Sequence, residues 1–264
     1  MISKLAYVDP SAKIAESAKI HPFAYIDKDV EIGENCEIMP YASIIRGTRM
    51  GKNNRVFQGA VIGADPQDFR WKGGFTYCFI GDNNTIREQV IINRGISSEG
   101  GTRIGDQNFI MAESHIGHDS VIAGRTVLGN GVKIAGEVKV DECCILSNAV
   151  ILNEGVHVGE WVFVKGGTRI SSNVPPYIIM AHNPAVYYGV NAVLMCRKHH
   201  FTPEEIEDAA KAYRHIFQTQ TSLFNAMKRI ENDVEDGRVR EKILGFIREN
   251  NLRIAGVPFY EEED

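Results

Sequence analysis

The sequence predicts a mainly β protein, a parallel β-helix of about nine coils followed by an α-helical C-terminal domain. Three observations lead there. An aliphatic residue returns every six positions from Val8 to Ile170, where 25 of 28 slots hold Ile, Val, Leu or Met and only Asp68, Gly74 and Ser98 miss. Small or narrow side chains such as Ala18, Ala24, Cys36, Ala42 and Ser114 stand two residues ahead of many slots. There are 25 glycines, many directly after a slot, as in Ile32-Gly33, Ile104-Gly105 and Ile116-Gly117. Period six matches neither a 3.6-residue helix nor a simple run of hairpins. It matches three short β-segments per triangular coil, with the aliphatic side chain inside, the small one at a crowded corner and Gly or Asn in the turn. A β-sandwich with evenly spaced strands would not hold strict phase for so long.

The failed slots lie in 63–79 and 93–103, polar or Gly-rich segments across which the phase survives. They are read as loops protruding from intact coils, where binding residues are expected. After Ile170 the period is expected to stop, because Pro175 and Pro176 break regular structure. Residues 1–185 are therefore assigned to the β-helix and 186–264 to the helical domain. Thr202, Pro203 and Glu205 form a helix start with a capping box, followed by an apolar stripe of Ile206, Ala209, Ala210, Tyr213, Ile216 and Phe217. Further helices are expected over 222–232 (Leu223, Phe224, Met227, Ile230) and 238–250 (Val239, Ile243, Leu244, Phe246, Ile247). Such a bundle would cap the prism and block its open sheet end.

In 264 residues, 29 Lys and Arg face 34 Asp and Glu, which argues against a nucleic-acid binder. No stretch approaches a membrane span, and the N-terminus lacks the pattern of a secretory leader, so a cytoplasmic protein is expected. The five scattered cysteines have no Cys-x-x-Cys spacing and read as reduced packing residues.

The densest polar constellation is Glu113-Ser114-His115-Ile116-Gly117-His118-Asp119. With Ile116 in the core, His115 and His118 stand outside the prism wall. An outward His beside a carboxylate suits a general base. From spacing alone it is equally readable as a surface histidine. A metal site is weighed too, but no third His lies at the matching place in an adjacent coil, and no metal is expected.

Further motifs are Pro66-Gln67-Asp68, Ile86-Arg87-Glu88, Asn93-Arg94-Gly95, Val174-Pro175-Pro176-Tyr177, Asn183-Pro184 and Gly189-Val190-Asn191. With His115-Ile116-Gly117-His118-Asp119 they make the whole chain resemble the UDP-N-acetylglucosamine O-acyltransferase family of lipid A biosynthesis. That resemblance implies a left-handed prism, a homotrimer and active sites between subunits. It implies transfer of a 3-hydroxyacyl chain from acyl carrier protein to the 3-hydroxyl of UDP-N-acetylglucosamine. No cofactor is implied; the carrier protein with its phosphopantetheine arm is a co-substrate. His118 would be the general base, Asp119 its orienting carboxylate and the Gly136 N–H the oxyanion donor. Asp68, Arg70 and His115 would contact the sugar and its phosphates, and Glu154 would also bind substrate. Asn191, Arg197 and Lys198 would lie near the nucleotide, and the cluster 197–200 could dock an acidic carrier protein. Gly166 would gauge acyl-chain length, or be a simple turn glycine. The sequence departs from the family at Glu137 and Asn153, often His there, and at Arg70, which replaces a Lys. Alternatives are acylation of a 3-amino or other UDP-sugar, the later N-acylation of an acylated UDP-glucosamine, a catalytically weak binding paralogue and, more distantly, a trimeric zinc hydratase.

Overall fold

A computed structural model describes residues 1–97, 100–197, 200–219, 221–251 and 253–256. Short parallel strands stack into three faces of a prism. Face 1 has nine strands, from Tyr7–Val8 to Arg169–Ile170. Face 2 has eight, from Lys13–Ile14 to His157–Val158. Face 3 runs from Lys19–Ile20 to Ile178–Ala181 and ends in Val186–Val190. Each regular strand carries one aliphatic slot. The slots from Ile20 onward are at most 5% exposed, whereas Val8 and Ile14 at the open end are only partly buried. Full burial of such a side chain contributes about 1.5–3 kcal/mol, so the period is a record of the core.

Partners on neighbouring coils are 18 residues apart, as Ile26 and Ile44 are. The spacing becomes 30 across the first loop (Ile62 and Ile92) and 24 across the second (Ile92 and Ile116). The loops therefore insert two hexads and one, which is why the phase survives and why Asp68, Gly74 and Ser98 fall on it without being core positions. Ser98 itself lies outside the described residues. Both loops leave the same corner, between a face 1 strand (Val61–Ala64, Ile91–Asn93) and a face 2 strand (Cys78–Ile80, Thr102–Ile104).

Two sequence expectations need correction. The period does not end at Ile170. Val174 pairs with Val158, and Met180 with Val164, so the coil continues after a two-residue shortening, with Pro175 and Pro176 at a corner where no strand ladder needs their N–H. Ile2 likewise pairs with Ile20, one hexad before the expected start. Second, of the glycines directly after the slots only Gly63 takes the turn conformation among the described residues. Positive φ otherwise falls two residues later, where Gly59, Gly131 and Gly155 supply it as expected but so do Asp29, Asn35, Asn53, Asp119, Glu137 and others. Gly117 serves close approach instead: a Cβ there would lie 2.6 Å from the Ala135 carbonyl carbon of the next coil. At the corner between faces 2 and 3, the small-residue column contains a buried ladder in which Asn54 Oδ1 accepts from Asn84 N–H and Asn84 Oδ1 from Asn108 N–H.

The expected division at 185/186 falls at Val186–Val190, which pairs antiparallel with Ile178–Ala181 and covers the end of face 3. Helices follow at α1 (Ala192–Cys196), α2 (Pro203–Phe217), α3 (Leu223–Asp233) and α4 (Arg238–Glu249). Thr202 and Glu205 form the reciprocal capping box of α2. Of the expected stripes, that of α4 is entirely buried, but Phe224 of α3 is 57% exposed and lies under the Lys228 ammonium. The helices seat on the last coils: Tyr213 donates to the Pro176 carbonyl, and the His157 ring lies 4.5 Å from Phe246. Among the described residues no helix is long and apolar enough to cross a membrane.

Candidate active site

The six-residue period places His118, Gly136 and Glu154 each two residues beyond a face 1 slot and one coil apart. They form a column on the same corner that both loops leave. The loops cover it, and His118 is only 5% exposed. The surface-histidine reading is thus corrected: the side chain points out of the prism wall but is enclosed by what the insertions bring over it.

His118 Nδ1 is 2.9 Å from Asp119 Oδ2. Asp119 is itself fixed: its N–H donates to Thr102 Oγ1 (2.9 Å), and its Oδ2 accepts from the Ile96 N–H (2.8 Å) in the second loop. A carboxylate so held keeps the proton on Nδ1 and leaves Nε2 as the acceptor. Gly136 packs against the ring, and a Cβ there would stand 2.4 Å from both Cε1 and Nε2. The N–H groups at the equivalent turn positions Lys52, Asp82 and Asn130 are taken by the side chains of Asp82, Asp106 and Asn148. Among the described residues no acceptor takes the Gly136 N–H.

From the first loop, Asp68 Oδ2 comes within 3.3 Å of His118 Nε2. Arg70 Nε donates to both Asp68 oxygens (3.1 Å each), and the Arg70 backbone N–H donates to Asp68 Oδ1. These hydrogen bonds hold the Asp68 carboxyl well below the usual carboxylate range, with the charge of Arg70 and the nearness of His118 adding to the effect. The other side of the guanidinium meets Glu137 Oε1 (3.0 Å) and Glu154 Oε1. Neither glutamate's link to Arg70 was visible in the sequence. The usable signal was the 18-residue spacing of His118, Gly136 and Glu154, which puts all three on one corner.

Beside this corner, His115, Lys133, Ile151 and Arg169 stand in register along the outside of face 1 and line a groove of ≈ 510 Å³ with Asn153 and Glu154. Burial, then the Lys133 charge, lower the His115 pKa. Asn153 Oδ1 accepts from Arg169 Nε. Within one chain Asn191 and Gly166 are not part of this cluster. Asn191 is 4% exposed at the start of α1, donating from its side chain to the Trp161 carbonyl and from its backbone to the Tyr177 carbonyl, at the corner between faces 2 and 3. Gly166 lies on the third corner, exposed and outside the left-handed region. Arg197 is exposed at the end of α1, and Lys198 lies outside the described residues, as does His199. All five cysteines are unpaired, four of them buried. Among the described residues no group of three or more His, Cys, Asp or Glu could hold a metal ion.

Comparison with known proteins gives the same order of elements. A family profile described as UDP N-acetylglucosamine O-acyltransferase, domain 2, matches residues 173–255. The bacterial transferase hexapeptide profile matches 101–136, and that of the GMPPB C-terminal domain matches 2–99. An acyl-[acyl-carrier-protein]–UDP-N-acetylglucosamine O-acyltransferase of Alkalilimnicola ehrlichii is 40% identical over 96% of this chain and 98% of its own. The chain belongs to this O-acyltransferase family. The Pseudomonas syringae pv. tomato member is 41% identical over 86% of this chain and 88% of its own. Among solved structures, the UDP-N-acetylglucosamine acyltransferase of Bacteroides fragilis superposes with a TM-score of 0.93 at 42% identity, covering 98% of this chain and all of that one. The Arabidopsis enzyme gives 0.81 at 29% identity, covering 94% and 96%. The prism is the family's left-handed parallel β-helix, and the protein is an acyltransferase.

Proposed function

We propose that the protein transfers a 3-hydroxyacyl chain from acyl carrier protein to the 3-hydroxyl of UDP-N-acetylglucosamine, the first step of lipid A biosynthesis. The observation that carries the chemistry is the His118–Asp119 pair beside the unclaimed Gly136 N–H. His118 Nε2 takes the hydroxyl proton as the sugar oxygen attacks the thioester carbonyl, and the Asp119 carboxylate accepts a hydrogen bond from Nδ1–H and stabilises the imidazolium. The tetrahedral oxyanion is stabilised by the Gly136 N–H, preorganised and close to the base. The C–S bond then breaks and the imidazolium returns its proton to the departing thiolate. No cofactor enters, because the phosphopantetheine thioester of the carrier already activates the acyl group.

His115 and the face 1 groove are the proposed bed of the acceptor. Asn191, with Arg197 and Lys198, serves the nucleotide from a neighbouring subunit, which accounts for its distance from His118 along one chain. A homotrimer is supported by an apolar column on face 3, Phe109, Val127, Ile145, Phe163 and Ile179, each half-buried in the single chain. Gly166, exposed on the third corner, is the proposed gauge of acyl-chain length. The unpaired cysteines support a cytoplasmic setting. The test is to incubate the protein with UDP-N-acetylglucosamine and 3-hydroxyacyl carrier proteins of several lengths. An O-acylated sugar is expected, with His118→Ala slowed by about 10²–10⁴-fold. Unchanged turnover in that variant would remove His118 from the mechanism.

A further inference from the structure

Arg70 is held in a way that does not suit a phosphate ligand. Its Nε and one Nη grip Asp68, its other Nη meets Glu137 at 3.0 Å, and Glu154 closes on the fork from the next coil. Three carboxylates around one guanidinium leave an excess of negative charge, so an incoming diphosphate would meet repulsion before it met the arginine. Asp68 is the only one of the three that also reaches His118, standing 3.3 Å from the nitrogen that takes the proton. The contacts therefore form a chain: Glu137 and Glu154 on the prism wall, Arg70, Asp68, then His118. Glu137 is anchored at its base, since its N–H donates to the His118 carbonyl at 2.9 Å. The loop is also tied at its root, where Asn93 Nδ2 donates to the Asp65 carbonyl, and by Trp71 under the Arg94 guanidinium (5.5 Å). Its tip is open: Phe69 is fully exposed, and a Cβ at Gly73 would touch nothing within 4 Å. A planar guanidinium can join three carboxylates in fixed directions where a lysine ammonium is a single point of charge, so Arg70 and the two glutamates make one physical unit.

We propose that Glu137 and Glu154 are positioning residues, which pin the first loop through Arg70 and so fix Asp68 beside His118 where the acceptor hydroxyl must enter. This rests on the acyl-transfer reading, and Glu154 is then a loop anchor in place of a substrate ligand.

The test is a double-mutant cycle. Glu137→Gln with Glu154→Gln is made in the parent and in Arg70→Met, and each protein is read for acyl transfer and for chymotryptic cleavage after Phe69. If the glutamates act through Arg70, their replacement lowers kcat/KM about 10-fold in the parent and leaves it unchanged in Arg70→Met. Cleavage after Phe69 is faster in the glutamate variant and in Arg70→Met, with no further gain on combination. Equal losses of kcat/KM in both backgrounds would mean that the glutamates meet substrate directly, and would overturn the proposal. So would an unchanged rate of cleavage in the glutamate variant. If the parent transfers no acyl group from any donor, the acyl-transfer reading fails, while the cleavage cycle still decides whether the glutamates pin the loop.

Discussion

Replacing Gly136 by alanine should cripple the reaction without unfolding the protein. The new Cβ would lie 2.4 Å from His118 Cε1 and Nε2, whereas ordinary contact begins at 3.4 Å, so the ring must retreat by about 1 Å. Gly136 lies outside the left-handed region, so the backbone itself accepts alanine. The ring cannot retreat freely, because Nδ1 is tied to Asp119 at 2.9 Å and Asp119 to Ile96 and Thr102. Misaim of this size at a reacting atom lowers kcat by about 10²-fold. Overpacking of one methyl against a ring costs about 1–3 kcal/mol of stability, which a prism of this size absorbs. The assay is steady-state transfer from 3-hydroxyacyl carrier protein beside a thermal melt. A folded Gly136→Ala variant turning over at the parent rate would refute the claim that this glycine sets the position of the base.

Arg70→Met should let the Asp68 carboxyl take its proton at higher pH. A carboxylate depressed by its hydrogen bonds stays ionised until pH falls through the lowered pKa, and without Arg70 it protonates nearer its ordinary value; an NMR titration of the Asp68 carboxyl carbon decides. Thr202→Ala removes the hydroxyl that accepts from Glu205 N–H and should lower stability by about 1 kcal/mol in chemical denaturation, with transfer unchanged. Ile145→Glu places a charge in the middle of the apolar column of face 3 and should reduce the assembly seen by sedimentation. An unchanged mass would show that this face does not join subunits.

The sequence was legible wherever side-chain burial repeats. Every aliphatic slot from Val8 to Ile170 heads a coil segment, and insertions of whole hexads left that register readable through both loops. It was less legible where one backbone shape admits many residues. The left-handed turn position is filled by Tyr41, Gln89, Arg125 and Trp161 as well as by Asn and Asp, so no residue type marks it. The short coil at Val174 was hidden by its prolines, which the corner tolerates and a strand would not.

Of the site, sequence alone determined the pair His118–Asp119 and the column His118, Gly136 and Glu154, because neighbours in the chain and residues one coil apart are local in a wound fold. Only the tertiary structure decided the burial of His118, the approach of Asp68 and the closure of Glu137 and Glu154 on Arg70. Those contacts span 50 to 84 positions in the chain, and they depend on where a non-repeating loop lands. A period specifies the wall of this protein; it carries no information about the path of a loop that leaves the wall and returns.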